Sequence, residues 1–242
     1  PVPDLPLRAE VFANLVEGAR AELVVALERD GATLAEHRSP IDLLAYNEWP
    51  GLRPLPGLLA AFVAANHPSL TPLLQVAAAA LQRATGDPAL DGYQRRSPAR
   101  VQALVEAVHD AVTGVGITYV GAPPSYERQG QKVRTPEQVV GERLGTCLDL
   151  AVLYAAVFEH VGLEPLVVLV RGHAFVGVWL QPTSSPHVEL GPAVELRKRV
   201  DAGALLVLEA TAACSGQRAD LAAACQLAQK RLGDEGFDLA VD

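Results

Sequence analysis

The spacing of apolar and polar positions predicts a chain of mixed helices and strands. Residues 71–85 and 98–113 repeat apolar side chains at helical spacing, with a Pro at the start and a Gly past the end. Residues 147–161 are apolar almost all round, which indicates a buried helix. Residues 173–180 alternate between two faces, as a strand does, and a further apolar strand follows them. This mixture predicts an α+β fold.

The N-terminal part of the chain is predicted to be β-rich. Residues 21–28 have the composition of a strand, and an Asp-Gly pair at 30–31 marks a turn. Residues 33–37 and 40–46 are predicted as two further strands. We interpret this part as a small sheet, the end of a sandwich domain.

Cys147 lies where the buried helix is predicted to begin. Thr146 is a good N-cap, and Asp149 three residues later completes a start that resembles a capping box. The unpaired N–H groups and the dipole of a helix N-terminus favour the thiolate, which is the nucleophilic form of cysteine. A negative charge on Asp149 opposes this by raising the thiol pKa. A buried structural thiol is the alternative interpretation.

Two further segments supply partners for this cysteine. His173 begins the alternating strand, and Glu209 is the one acid in an apolar strand predicted over residues 205–211. A buried carboxylate is costly unless it is paired, and an imidazole N–H is the partner we expect. Cys147, His173 and Glu209 are therefore candidates for nucleophile, base and orienting acid.

Three blocks of the chain resemble the signature blocks of transglutaminase-like domains, which are papain-fold enzymes with a Cys-His-Asp triad. The blocks are Gly-Thr-Cys-Leu-Asp-Leu-Ala (145–151), Gly-His-Ala-Phe-Val (172–176) and Leu-Glu-Ala-Thr (208–211). The resemblance implies a papain-like fold, with a Cys-bearing helix packed on an antiparallel sheet that bears the His and the acid. It also implies acyl transfer through a thioester, with water or an amine as acceptor.

Carried over block by block, the resemblance implies that Cys147 is the nucleophile, His173 the base and Glu209 the third member. The chain departs from the family at two points: the acid is Glu where the family usually has Asp, and an insertion at 181–203 separates the last two blocks. Papain-fold enzymes also use a polar donor upstream of the cysteine to hold the oxyanion. Gln131 is the candidate for that donor, with Gln129 as the alternative.

Longer motifs resemble a domain of very large bacterial proteins, where it lies upstream of a helicase and a nuclease-like segment. They are Asn-Glu-Trp-Pro-Gly (47–51), Asn-His-Pro-Ser (66–69), Gly-Tyr-Gln (92–94) and Gly-Gln-Lys-Val-Arg-Thr-Pro (130–136). This resemblance implies a helicase-associated module that works beside other domains of one polypeptide. We divide the chain into a β-rich segment (1–47) and a transglutaminase-like domain (48–242), with a helical part (48–114) and a catalytic core (115–242).

Two tryptophans are candidates for contact with a protein or peptide substrate. Trp179 shares a strand face with His173, and Trp49 lies beside the polar residues Asn47 and Glu48. A packing role is the favoured alternative for Trp49. His109 falls off the apolar stripe of its predicted helix, so we expect it to be exposed.

Composition narrows the classes of function. A formal charge of −8 with few basic clusters argues against direct binding of nucleic acid. Three cysteines without a CxxC motif suggest a reducing, cytoplasmic setting. The chain has no apolar run of membrane-spanning length, no phosphate-binding motif, and only a weak His187–Glu189 pair as a metal signal, so we expect neither membrane, cofactor nor metal. Because it begins at Pro1 and has no Met, we expect a piece of a longer protein.

Three classes of function remain open. The first is a cysteine peptidase or related acyl hydrolase, which we favour. The second is a protein-glutamine acyltransferase or deamidase, which would use the same triad with an amine as acceptor or with an amide as substrate. The third is a non-catalytic module that binds a peptide or docks neighbouring domains. An intact Cys147 and His173 favour the first two.

Overall fold

A computed structural model of the protein describes residues 8–53, 55–183, 189–233 and 236–241. The chain divides into two units, Pro1–Trp49 and Pro50–Asp242. The elements of the first unit are helix α1 (Ala9–Ala13) and strands β1 (Ala19–Arg29), β2 (Ala32–Leu43) and β3 (Glu48–Trp49).

The first unit is built around a hairpin rather than the predicted three strands. Residues 33–37 and 40–46 were predicted separately, but the single strand β2 pairs antiparallel with β1 from Ala32 to Leu43. Pro40 opposes Glu22 in this hairpin. A two-stranded ribbon tolerates Pro because one edge of each strand needs no N–H donor. The turn is the predicted Asp30–Gly31 pair, and both residues have positive φ.

The second unit begins with a helical part. A 3-10 helix (Pro56–Phe62), a 3-10 turn (Pro68–Leu70), α2 (Thr71–Thr85) and α3 (Pro98–Val115) follow in order. Ala77 and Ala80 are buried, and such small side chains let α2 and α3 approach closely. Ser97 caps α3 by accepting a hydrogen bond from Arg100 N–H, and Gly116 ends the helix in the left-handed conformation, two residues after the predicted stop at Gly114.

Short elements connect the helical part to the sheet. They are β4 (Thr118–Tyr119), α4 (Tyr126–Gln129), β5 (Gln131–Lys132), α5 (Pro136–Glu142) and β6 (Leu144–Gly145). The strands β4 and β6 pair in parallel, which fixes Tyr119 beside Gly145 just before the Cys helix.

A five-stranded antiparallel sheet carries the rest of the second unit. Its order is β10-β8-β7-β11-β9, and its strands are β7 (Pro165–Val170), β8 (His173–Trp179), β9 (Glu189–Leu190), β10 (Leu205–Leu208) and β11 (Phe237–Val241). The Arg171–Gly172 turn joins β7 to β8. His173 and Val170, the residues on either side of this turn, form the last pair of the antiparallel β7–β8 register. The mixture of helices with small antiparallel sheets belongs to the α+β class.

Three helices cover this sheet. The helix α6 (Cys147–His160) packs on β7 and β8, while α7 (Ala193–Asp201) and α8 (Leu221–Gly233) pack on β10. Phe175 and Trp179 join Leu196 of α7 and Leu232 of α8 in one core cluster. Since successive strand residues face opposite sides, this leaves Ala174, Val176 and Val178 on the side of α6. All twelve residues from Cys147 to Phe158 are buried, as the apolar pattern predicts.

Within the residues that the model describes, no helix has the length and apolar character needed to cross a membrane.

Candidate active site

The start of α6 fixes the cysteine. Thr146 Oγ1 accepts from Asp149 N–H at 3.2 Å, and Asp149 Oδ2 accepts from Thr146 N–H at 2.9 Å, which completes the predicted capping box. Asp149 also accepts from the Arg134 backbone N–H at 2.8 Å and from the Arg134 guanidinium at 2.9 Å. The buried carboxylate thus ties the 131–135 segment to the helix start, and its charge is paired with Arg134 rather than left to act on the thiol.

The structure brings together the three residues of the predicted triad. His173 lies close enough to the Cys147 thiol to lower the thiol pKa by hydrogen bonding and by charge. His173 Nε2 lies 2.9 Å and 2.8 Å from the two carboxylate oxygens of Glu209. Because Nε2 is engaged by Glu209, Nδ1 is the ring nitrogen left to face the thiol.

Glu209 differs from its predicted setting. The strand β10 ends at Leu208, and Glu209 is the N-cap of a 3-10 turn (Ala210–Ala213). Its Oε1 accepts from Thr211 N–H at 3.1 Å and from Thr211 Oγ1 at 2.8 Å. The acid therefore has a fixed rotamer, because the turn and the imidazole bind the same carboxylate.

The pKa values of the triad shift towards an ion pair. Burial alone would raise the Cys147 pKa, but the hydrogen bond and charge of His173 outweigh burial and lower it, with help from Tyr126 and the Ala174 N–H. Burial alone would lower the His173 pKa, but Cys147 and Glu209 raise it to about 9. Burial opposes ionisation of Glu209 too, yet its bonds to His173 and Thr211 lower its pKa. Thiolate, imidazolium and carboxylate are thus mutually stabilised.

The other two cysteines have the opposite character. Burial raises the pKa of Cys214 and that of Cys225 to about 11 each. Neither is in a disulfide. Cys147 is thus the one thiol of the three whose environment favours the reactive form.

Two tyrosines face the sulfur. The hydroxyl of Tyr126 lies 3.6 Å from Cys147 Sγ, and Tyr119 is also hydrogen-bonded to Cys147. Burial, followed by the charge of Cys147, raises the pKa of both phenols, so they stay protonated donors at neutral pH. No periodic pattern singled out either residue, because the 117–130 segment has little regular structure.

The segment that carries Tyr126 covers the thiol. Cys147 is 0% exposed and Tyr126 1% exposed. The Leu52 N–H donates to Glu127 O at 2.7 Å, and Gly51 packs so closely that a Cβ there would lie 2.8 Å from Arg128 O. The short helix α4 is therefore held over the thiol by the chain at 51–52.

The remaining candidate residues are placed as follows. Gln131 is buried near the thiol, with its Nε2 3.4 Å from Thr146 Oγ1 and its Oε1 without a hydrogen-bond partner among the described residues. Trp179 lies at the far end of β8 from His173, roughly 20 Å away by strand rise, so it is not brought to the thiol. Arg199 stacks over its ring. Trp49 is fully buried and exposes no surface for a substrate.

The other histidines among the described residues have hydrogen-bond partners of their own. His109 was expected to be exposed, but it is 2% exposed, and its two ring nitrogens lie 2.7 Å from Tyr154 Oη and 2.8 Å from Ala219 O. His160 lies at the far end of α6 and contacts Ala65 O. His187 lies outside the described residues. In the described part of the chain, no group of three or more His, Cys, Asp or Glu side chains could hold a metal ion.

Comparisons with protein-family models, with curated proteins and with solved structures find no match to this chain.

Proposed function

We propose that this protein is a thiol-dependent acyl hydrolase, most simply a cysteine peptidase, built on a transglutaminase-like, papain-type fold. The observation that carries the proposal is the buried line from Cys147 through His173 to Glu209, in which all three pKa shifts favour the ionised partners. A merely structural cysteine needs neither an imidazole partner nor a lowered pKa.

The proposed reaction has two halves. The Cys147 thiolate attacks the carbonyl carbon of an amide, an S–C bond forms, and the carbonyl π electrons move to oxygen. When the C–N bond breaks, the His173 imidazolium gives its proton to the departing amine, which leaves a thioester. Water then attacks the thioester while His173 takes its proton, the S–C bond breaks with its electron pair on sulfur, and the carboxylic acid leaves with the thiolate–imidazolium pair restored. Glu209 holds the imidazole in one orientation throughout.

The developing oxyanion would be held by donors at the start of α6. Backbone N–H groups of a first helical turn lack partners within the helix, and the Cys147 N–H belongs to that set. The Gln131 amide, hydrogen-bonded to the residue just before Cys147, is the side-chain donor in the proposal. Tyr126 Oη lies 3.6 Å from Cys147 Sγ, so once the thiol is ionised the phenol can donate to the thiolate, and this bond lowers the thiol pKa.

Acyl transfer to an amine, or deamidation of a protein glutamine, is the second candidate. The observation that favours transfer is the cover over the sulfur: Cys147 is 0% exposed beneath Tyr126, and if α4 closed again over a thioester, it would keep water away. In either reaction α4 must move to admit a protein or peptide substrate. The neighbouring domains implied by the long motifs, a helicase and a nuclease-like segment, are the proposed partners within one polypeptide. The third hypothesis, a non-catalytic docking module, is not supported by the lowered pKa of Cys147 and the raised pKa of His173.

Thiol labelling tests whether the site is catalytic. We expect iodoacetamide to alkylate Cys147 faster than Cys214 at neutral pH, and His173→Ala to remove that advantage. Equal rates at the two cysteines, with no effect of His173→Ala, would refute the proposal.

A glutamine-containing peptide, supplied with and without a labelled amine, separates the two reactions. Incorporation of the amine indicates transfer, and hydrolysis products alone indicate a peptidase or a deamidase.

A further inference from the structure

The carboxylate of Glu209 contacts three side chains, although orienting the imidazole requires only the contact with His173. Glu209 Oε1 accepts from Thr211, while Oε2 lies 2.8 Å from His173 Nε2 and 2.8 Å from the Nε of Arg231. Glu209 itself is 2% exposed. The guanidinium of Arg231 and the imidazole of His173 thus share one carboxylate oxygen.

Arg231 reaches the site from the last turn of α8. This helix packs on β10, and its Ala224 carbonyl accepts the Glu209 N–H at 3.0 Å. The helix therefore holds the acid at two points, by the backbone at Ala224 and by the side chain at Arg231. The Arg231 side chain is 44% exposed, so the guanidinium is partly in solvent while its Nε lies 2.8 Å from the buried carboxylate.

We propose that Arg231 is a fourth, positioning member of the Cys147–His173–Glu209 site: it fixes the Glu209 carboxylate and partly neutralises it. This rests on the proposed function, and it concerns a residue that touches neither the thiol nor a substrate. A guanidinium that is ion-paired with Oε2 at 2.8 Å limits rotation of the carboxylate, which in turn fixes the plane of the imidazole.

The charge of Arg231 also sets how firmly His173 keeps its proton. A carboxylate that is unopposed holds an imidazolium strongly, and a cation on the same oxygen weakens that hold. Loss of Arg231 should therefore leave His173 more basic and slower to give up its proton to a departing amine. The titratable and charged groups that face the Glu209–His173 pair are Cys147 of α6, Tyr119 of β4, Cys214 after the 3-10 turn and Arg231 of α8.

The test replaces Arg231 by Met, which removes the charge and the donor but keeps an apolar stem. Lys230→Met is the matched control, because Lys230 is the preceding residue of the same helix, is exposed, and makes the same change in net charge. The readout is the pH titration of the His173 ring by NMR, assigned by the loss of its signal in His173→Ala. A merely structural role of Arg231 would leave this titration unmoved.

We expect Arg231→Met to move the His173 titration upward by about half a pH unit or more, since the two cationic groups are at most about 6 Å apart and one of them is partly in solvent. Arg231→Lys, which keeps the charge, should restore most of the wild-type value. A shift no larger than that of Lys230→Met would overturn the proposal. If Arg231→Met does not fold, Arg231→Gln is measured in its place, with the same expected direction.

Failure of this proposal and failure of the proposed function give different results. The NMR titration needs no turnover, so it reports the coupling of Arg231 to His173 even in a protein that proves inactive. Conversely, a wild-type Cys147 that alkylates no faster than Cys214 refutes the catalytic site whatever the titration of His173 shows.

Discussion

Replacing Glu209 by Gln removes the charge of the triad acid while nearly preserving its size. In the wild-type protein, Oε1 accepts from Thr211 and Oε2 is ion-paired with Arg231, with His173 in contact with both oxygens. A carboxamide offers an acceptor on one side only, so its NH₂ must face donors either at Thr211 or at Arg231. Leaving buried donors unsatisfied costs about 1–3 kcal/mol, which we expect as the loss in free energy of unfolding.

The kinetic loss should be larger than the loss of stability. Without the carboxylate, the His173 pKa falls from about 9 towards its usual value, and the thiol loses part of its imidazolium partner. The orienting acid in triads of this kind is worth roughly 10²- to 10⁴-fold in turnover. We therefore expect a fall of that order in turnover, together with slower alkylation of Cys147 at neutral pH, in a protein that still folds.

The assay measures the second-order rate of alkylation of each cysteine by iodoacetamide between pH 5 and 10, read by mass spectrometry. Cys214 and Cys225, whose thiols have raised pKa values, serve as internal references in the same molecule. Glu209→Asp is the matched control, because it keeps the charge and should retain most of the reactivity. An unchanged pH profile for Cys147 in Glu209→Gln would refute the assignment, and Asp201 or Asp149 would then have to be considered as the third member.

Three further predictions concern the thiol and its cover. Gly51→Ala places a Cβ 2.8 Å from the α4 backbone at φ +88°, which should displace α4 and speed the labelling of Cys147. The control Gly86→Ala has a similar φ of +78° but open space around it, so it should leave the labelling rate unchanged. A faster rate in the control would contradict the explanation. Tyr126→Phe removes a donor to the sulfur and should raise the thiol pKa, seen as a shift to higher pH of thiolate absorbance; a constant pKa would show that the hydroxyl does not stabilise the thiolate. The raised pKa of His173 stabilises the folded protein fully below pH 6.5, and this stabilisation is lost as pH rises through about 9. The lowered pKa of Cys147 stabilises the folded protein above pH 9.0, and this stabilisation is lost as pH falls through the folded pKa. These slopes oppose each other in the wild type. In Cys147→Ala only Glu209 still raises the His173 pKa, so stability should fall as pH rises above 6.5 in chemical denaturation, over a narrower range than one that extends to pH 9. Equal slopes in the two proteins would contradict the linkage.

Elements with a strong periodic pattern were predicted well from the sequence. The helix α6 has almost no polar face and is buried throughout, and β8 alternates between two buried faces of one sheet. The capping box at Thr146 and Asp149 is also as predicted, because capping depends on residues within one turn.

Elements whose form depends on distant contacts were predicted less well. Residues 33–37 and 40–46 merge into β2 because the long partner strand β1 stabilises the extended chain through Pro40. His109 is buried because Tyr154 and the Ala219 carbonyl satisfy both of its ring nitrogens, and neither partner is within 40 residues in sequence. A pattern on one helix carries no information about either partner.

The sequence by itself determined the chemical types available at the candidate site. It placed a cysteine at a helix start, a histidine at a strand start and one acid in an apolar segment, because local periodicity and capping fix where such side chains point. Only the tertiary structure decided what surrounds them. The two tyrosines on the sulfur, the Arg134 partner of Asp149 and the Arg231 partner of Glu209 come from separate elements. Their approach depends on how helices pack on the sheet, and that packing is set by contacts between residues far apart in the chain.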